Sequence, residues 1–172
     1  MRGYALIACL LFCAVPAAGS TAPAVQSPAD AQLLFATEAS GVQIYQSIVK
    51  AGGGLHWELQ APLARLTGDG GQVTIYHYAG PSWEAADGSK VVRDPAVPVV
   101  SAPPADPADI PSLLIKVAAD PAAGILAHVA YVERLATHGG AAPSMPPVRP
   151  GTRIGVPYTA TYAFFAKAEA GR

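Results

Sequence analysis

From residue 42 onward the chain repeats one pattern, an alternation of apolar and polar residues followed by a cluster of Gly, Pro or Asp. Val42-Gln-Ile-Tyr-Gln-Ser-Ile48 sets Val42, Ile44 and Ile48 on one face, and Ala51-Gly-Gly-Gly54 separates it from Leu55-His-Trp-Glu-Leu59. Successive strand side chains point to opposite faces, so Leu55, Trp57 and Leu59 are expected inward and His56 and Glu58 outward. Gln72-Val-Thr-Ile-Tyr-His-Tyr78 follows the turn Gly68-Asp-Gly-Gly71. Leu113, Ile115 and Val117 share one side of a strand over 111–117, and Tyr158, Ala160, Tyr162 and Phe164 alternate with Thr159, Thr161 and Phe165. Gln32-Leu-Leu-Phe-Ala36 is a shorter candidate.

A period of two does not fit a helical face. The 17 Gly and 17 Pro among 172 residues then read as the turns of β structure rather than as disorder. Residues 122–135 have helix-favouring composition, but Gly124 opens the stretch and its neighbours are strands, so Ile125–Leu135 reads as a central strand. Two Pro-rich loops, 93–110 and 139–157, interrupt the pattern, and loops of that length are usually functional or mobile. The expectation is a mainly β domain, an antiparallel β-sandwich or distorted barrel of about eight to ten strands with long Pro-rich loops at its rim. No internal repeat or heptad is present.

The N-terminus sets the compartment. Arg2 precedes the apolar run Tyr4–Val15 and the small residues Pro16-Ala-Ala-Gly19, the pattern of a secretory signal peptide over 1–19. The run is shorter than the roughly 20 apolar residues that span a bilayer, so no transmembrane anchor is expected in the mature chain. Residues 20–30 read as a flexible lead-in, 31–167 as one β domain and 168–172 as a tail, in a secreted or periplasmic protein. Leu6-Ile-Ala-Cys9 resembles a lipoprotein box but lies too near the start. Both cysteines, Cys9 and Cys13, fall within the leader. The mature chain is thus cysteine-free, which excludes a disulfide, a Cys-ligated metal and a Cys nucleophile. With 11 Lys and Arg against 12 Asp and Glu, no basic footprint points to nucleic acid.

The densest polar and aromatic stretch is HYAGPSWEAADGSKVV at 77–92. His77 continues the Val73, Ile75 face, where a hydrogen-bonded structural imidazole is the ordinary outcome. Gly80-Pro81 breaks the strand, and Asp87-Gly88 joins two short strands as a hairpin turn. Trp83 reads as a lid on the core, or as an aromatic face for a sugar ring or quaternary amine. Glu84 can pair with Lys90 across the hairpin, or ligate a metal or act as a base with His77. Arg134 emerges on the side of His128 and Val132, where a guanidinium clamps a carboxylate ligand or, the better reading, an internal Glu. The tyrosines at 45, 76, 78, 131, 158 and 162 suit a saccharide groove or simple cross-strand packing. Ser82 and Ser89 lie near His77 in sequence without a nucleophile motif. No cofactor fingerprint is present.

GVQIYQ (41–46), HYAGPSWEAADGSKVV (77–92), IPSLL (110–114), VERLAT (132–137) followed by GGAAP (139–143), and VPYTATYAFF (156–165) together resemble the secreted bacterial and fungal family catalogued as domain of unknown function 3455. The resemblance spans roughly residues 32–166. Some fungal members carry a malate dehydrogenase label, but no Gly-rich strand-to-helix turn is present to hold a dinucleotide. Family members usually have one Cys after the GVQIY stretch and another after the GGxAP stretch, where this chain has Ser47 and the 144–147 region. If those cysteines pair, the resemblance implies that the 139–157 loop is normally tied to the second strand and here is not. Ser112 stands where the family shows Trp, which puts an aromatic ligand platform near IPSLL in doubt.

The functional expectation is a non-catalytic binding or envelope-associated module for a saccharide or small organic ligand, with His77, Trp83, Glu84 and Arg134 as candidate ligand contacts. The alternative is a metal-dependent enzyme or redox-active protein centred on His77 and Glu84.

Overall fold

The computed structural model describes residues 25–71, 73–120 and 123–168. The expected signal peptide, the first part of the expected lead-in and the tail beyond residue 168 lie outside them. The elements are β1 (Ala31–Val49), β2 (Leu55–Thr67), β3 (Thr74–Tyr78), β4 (Ser82–Ala85), β5 (Lys90–Arg93), β6 (Val100–Ala102), β7 (Ser112–Ala119), β8 (Tyr131–Gly139) and β9 (Arg153–Lys167). All pair antiparallel in one sheet of order β5-β4-β3-β2-β1-β9-β8-β7-β6, and β5 pairs with β7 as well. That last pairing closes the sheet. Eight strands form a barrel, and β6 extends the β7 edge beside β5, so of the two expected architectures the barrel is the one adopted.

The sequence alternation is largely the alternation of barrel inside and outside. Ile115 and Val117 of β7, and Tyr158, Ala160, Tyr162 and Phe164 of β9, are all buried and belong to one core cluster. Three strands carry an extra residue where the register shifts. These are Leu34 against β9, Gln60 against β1 and one residue between Leu135 and His138, beside Ala136 at a φ of 46°. Such bulges increase local twist and bend a sheet toward closure.

Three expectations change. Gln32–Ala36 and Val42–Ile48 are parts of one 19-residue strand. Gly41 sits inside it because a Cβ there would meet the Leu63 carbonyl oxygen at 2.2 Å. Within this strand the buried residues are Thr37, Ala39, Gln43, Tyr45 and Ser47, while Val42, Ile44 and Ile48 are half-buried on the outer side. The stretch 125–130 is not strand. It turns back on itself after Gly124, and β8 begins only at Tyr131. The apolar character of 125–130 has a different cause, because Leu126 and Val129 insert fully into the core. His128 is therefore exposed rather than on the Val132 side.

The turn is held by Asp87, whose carboxylate accepts from the Ser89 and Ile125 amides at 2.9 and 2.8 Å and from the Ser89 hydroxyl at 2.6 Å. The Ser89 hydroxyl oxygen accepts in turn from Leu126 N at 3.1 Å. The 124–129 segment thus closes the barrel end where β4 turns into β5. The opposite end lies at the β3–β4 turn, with its cis Gly80-Pro81 peptide bond.

The 139–157 loop is tied back to the first two strands despite its lack of a cysteine. Ser47 exchanges backbone bonds with Thr152 and Gly151 at 2.8 and 2.9 Å. The Trp57 indole donates to the Met145 carbonyl at 3.0 Å, and the Tyr45 hydroxyl to the Gly140 carbonyl at 2.8 Å. Ser47 itself is buried with an unpartnered hydroxyl. The lead-in is also anchored in part. Val25 is buried, and Ser27 donates to the buried Glu133 at 2.7 Å.

Candidate functional site

At the β3–β4 end the barrel is hollow. A cavity of about 270 Å³ is lined by side chains from β1, β2, β3, β4, β7, β8 and β9, including Gln43, His77, Trp83 and Arg134. Three of the four sequence candidates therefore meet there, and Gln43 joins them. A glutamine in an alternating strand reads as outward-facing, and nothing in the sequence marks this one as buried at 1 % exposure.

Each of these groups is placed by strand pairing. His77 and Trp83 are direct cross-strand partners on β3 and β4, and their rings stack at 4.5 Å with planes 9° apart. The ring of Tyr162 closes on both, 5.3 Å from His77 and 6.2 Å from Trp83. His77 Nδ1 lies 2.9 Å from the Ser82 carbonyl oxygen. A carbonyl only accepts, so Nδ1 carries the proton and Nε2 is the lone-pair nitrogen. Burial, and to a smaller extent the Arg134 charge, lower the His77 pKa to about 4 against the opposing effect of the Ser82 bond. The imidazole is neutral at neutral pH. Ser82 meets it through its carbonyl, and Ser89 is engaged with Asp87, so neither serine forms a nucleophile and base pair with His77.

Arg134 pairs across the sheet with Leu113 and Tyr162. The internal Glu expected for it is absent. Glu133 points to the other face and bonds Ser27, because adjacent strand residues face opposite ways. Instead Arg134 Nε and Nη2 both donate to the Pro111 carbonyl, at 3.1 and 2.9 Å. Among the described residues no carboxylate forms an ion pair with this buried guanidinium. Its charge acts on Tyr162, where it opposes the upward push of burial on the hydroxyl pKa. Burial raises the Tyr158 hydroxyl pKa too, and the two hydroxyls lie 3.3 Å apart as neutral groups.

Two further donors, on residues that line the same space, have no partner in the protein. They are Gln43 Nε2 and Trp83 Nε1, both on buried atoms of cavity-lining residues. A buried polar group left unpaired costs about 1–3 kcal/mol, so such groups mark a place where something else supplies the partner.

Glu84 does not join the site. It pairs with Tyr76 and Lys90 in register, and its carboxylate accepts from the Tyr78 hydroxyl on the outer side, where Lys90 Nζ sits 5.1 Å from the centre of the Tyr78 ring. His77 and Glu84 therefore share no site, and among the described residues no group of three or more His, Asp or Glu side chains gathers as metal ligands. His56 and Glu58 approach at 4.0 Å on β2, also away from the cavity lining. The tyrosines form no common groove, since Tyr45, Tyr158 and Tyr162 are buried while Tyr76 lies exposed. Ser112 is not part of the cavity lining, whereas its neighbour Leu113 is. No described helix is long and apolar enough to cross a membrane.

A family model described as a protein of unknown function, DUF3455, matches residues 28–166. The chain belongs to that family. Neither a curated protein nor a solved structure matches it.

Proposed function

We propose that this member of the family is a secreted or periplasmic, non-catalytic binding module that holds a small organic molecule in the open end of its barrel. The observation that carries the reading is the division of the barrel interior. One end is filled by Leu126, Val129 and Phe164, and the other is left as a cavity with buried polar groups that have no protein partner. Eight-stranded barrels have an interior wide enough either to be filled by side chains or to hold one small ligand. At about 270 Å³ the space lies at the lower edge of the roughly 300–1,000 Å³ of small-molecule sites, which favours a compact ligand.

A saccharide fits less well. Sugar rings are held on an open aromatic face, and the face of Trp83 is taken by His77, with the indole fully buried. Chemistry also has little support, since the one imidazole at the cavity is a weak base and no nucleophile is paired with it.

The test is ligand-observed NMR of a small-fragment library against the mature protein and a Leu59→Trp variant. Leu59 lines the cavity but is 51 % exposed, so a larger side chain there can plug the opening without disturbing the core. Fragments that bind the parent and are lost with the plug support the reading. No binding, or binding indifferent to the plug, overturns it. N-terminal sequencing of the protein exported by a bacterial host tests the compartment, with Ser20 expected as the first residue.

A further inference from the structure

We infer that the cavity selects a small monocarboxylate, an acid with one carboxylate at Arg134 and a compact apolar body against Leu59, Pro62, Leu113 and Ile115. This rests on the binding reading above and specifies its ligand class.

Three independent features converge on it. The first is charge. Arg134 is 8 % exposed, lines the cavity and has only neutral oxygens as partners, the Pro111 carbonyl and the Tyr162 hydroxyl. A buried charge is normally paired, and removing a guanidinium from water without a counter-charge is costly. The Pro111 carbonyl takes two of its five N–H groups and fixes the plane of the fork, so the guanidinium is oriented before any ligand arrives.

The second is donor balance. Gln43 Nε2 and Trp83 Nε1 are buried N–H donors on lining residues and have no partner in the protein. A carboxylate brings acceptor lone pairs on both oxygens and no donor. An alcohol, amine or amide would bring donors to a site that already has a surplus of them, with His77 Nε2 as its one ring acceptor.

The third is what surrounds the polar groups. Apart from Tyr162, Gly80 and the exposed Gln60, the rest of the wall is apolar, formed by Leu59, Ala61, Pro62, Pro81, Leu113 and Ile115, and among the described residues none of the lining is a second cation. A dicarboxylate or a phosphate would leave charge against hydrocarbon. One carboxylate on an apolar body matches the guanidinium and the hydrocarbon that make up most of the lining.

The experiment titrates benzoate, hexanoate and their uncharged amides, benzamide and hexanamide, into the mature protein by ligand-observed NMR and calorimetry. The expected result is a preference of about tenfold or more for each acid over its amide, the scale of a hydrogen-bonded charge pair shielded from water. Arg134→Gln removes the charge but can also loosen the Pro111 contact. Gln43→Leu is therefore the second variant, since it deletes a donor without leaving a buried charge exposed to apolar surroundings. Both variants are checked for folding by circular dichroism. A folded Gln43→Leu protein is expected to lose about fivefold or more in acid affinity while amide affinity holds, as befits one lost charge-assisted hydrogen bond. If amides bind as well as acids, and Leu59→Trp abolishes both, the carboxylate inference falls and the binding reading stands. If neither series binds, both fall.

Discussion

His77 lies flat on Trp83, with 4.5 Å between ring centres, while its Nδ1 is bonded to the carbonyl of Ser82, the residue next to that same tryptophan. The β3–β4 hairpin is thereby locked twice, by a stacked pair on the cavity side and by a side-chain bond to its own turn. His77→Ala removes the stack, opens space beneath the indole and strands the Ser82 carbonyl. We expect a loss of about 2–4 kcal/mol in urea unfolding, from the truncation of a large buried ring together with the lost stack and bond. A cost under about 0.5 kcal/mol, the scale of a surface substitution, would mean that the imidazole is not structural.

The same imidazole makes stability depend on pH. Its folded pKa of about 4 lies below the ordinary 6.5, so between these values the unfolded chain binds a proton that the folded one does not. The contribution is complete above about pH 6.5, falls as pH drops toward 4 and is gone below that, a change of about 3 kcal/mol. Urea midpoints measured from pH 7.5 to 4 should fall through this window in the parent and much less in His77→Gln. Equal slopes in the two proteins would contradict the assignment.

How far the sequence reaches is clear from particular residues. Tyr158, Ala160, Tyr162 and Phe164 read as one buried face because this part of β9 keeps its inner side within the core. On β1 the same reasoning meets its limit. Gln43 and Ser47 face inward because the interior there is a cavity and a loop-covered rim rather than a hydrocarbon core, and alternation alone does not say which side is inside. The 125–130 run was apolar for a reason other than strand pairing, since Leu126 and Val129 plug the barrel end. Counting from Val132 puts Arg134 on the inner face, yet its partner is a backbone carbonyl, that of Pro111 just before β7, which carries no side-chain signature.

The loop at 139–157 supplies a third prediction. Its tether to β2 is the bond from the Trp57 indole to the Met145 carbonyl, on a residue whose ring stays partly exposed. Trp57→Phe keeps the ring and deletes the donor. Global stability should fall by no more than about 1 kcal/mol, the net value of one hydrogen bond. Hydrogen exchange in peptides covering 141–150 should accelerate while the β9 amides stay protected. Unchanged exchange in the loop would show that the Ser47 backbone bonds and the Tyr45–Gly140 bond hold it without the indole.

At the other end of the barrel, Asp87 joins the β4–β5 turn to the plug. Its carboxyl is held below the usual carboxylate range, first by the Ser89 hydroxyl and then by the Ile125 and Ser89 amides. Asp87→Ala should cost about 1–2 kcal/mol, as for the loss of a side-chain cap with several backbone donors. Exchange of the Ile125 and Leu126 amides should quicken in the variant. Protection of those two amides equal to that of the parent would mean that packing of Leu126 positions the plug without the carboxylate.

Gly41 gives the most severe expectation. It pairs with Ala64, and a Cβ there would stand 2.2 Å from the Leu63 carbonyl oxygen and 2.5 Å from Ala64 Cα and Cβ. The atoms in the way are mostly backbone, so relief requires β1 and β2 to separate. Opening the β1–β2 seam also moves Gln43, two residues along and on the same face, away from the cavity. Gly41→Ala is therefore expected to cost at least about 3 kcal/mol, the upper range for overpacking a close-packed interior. Any folded fraction that remains should bind hexanoate more weakly than the parent. A variant of parental stability with parental affinity would mean that the seam has slack, and that the barrel does not depend on this approach of the two backbones.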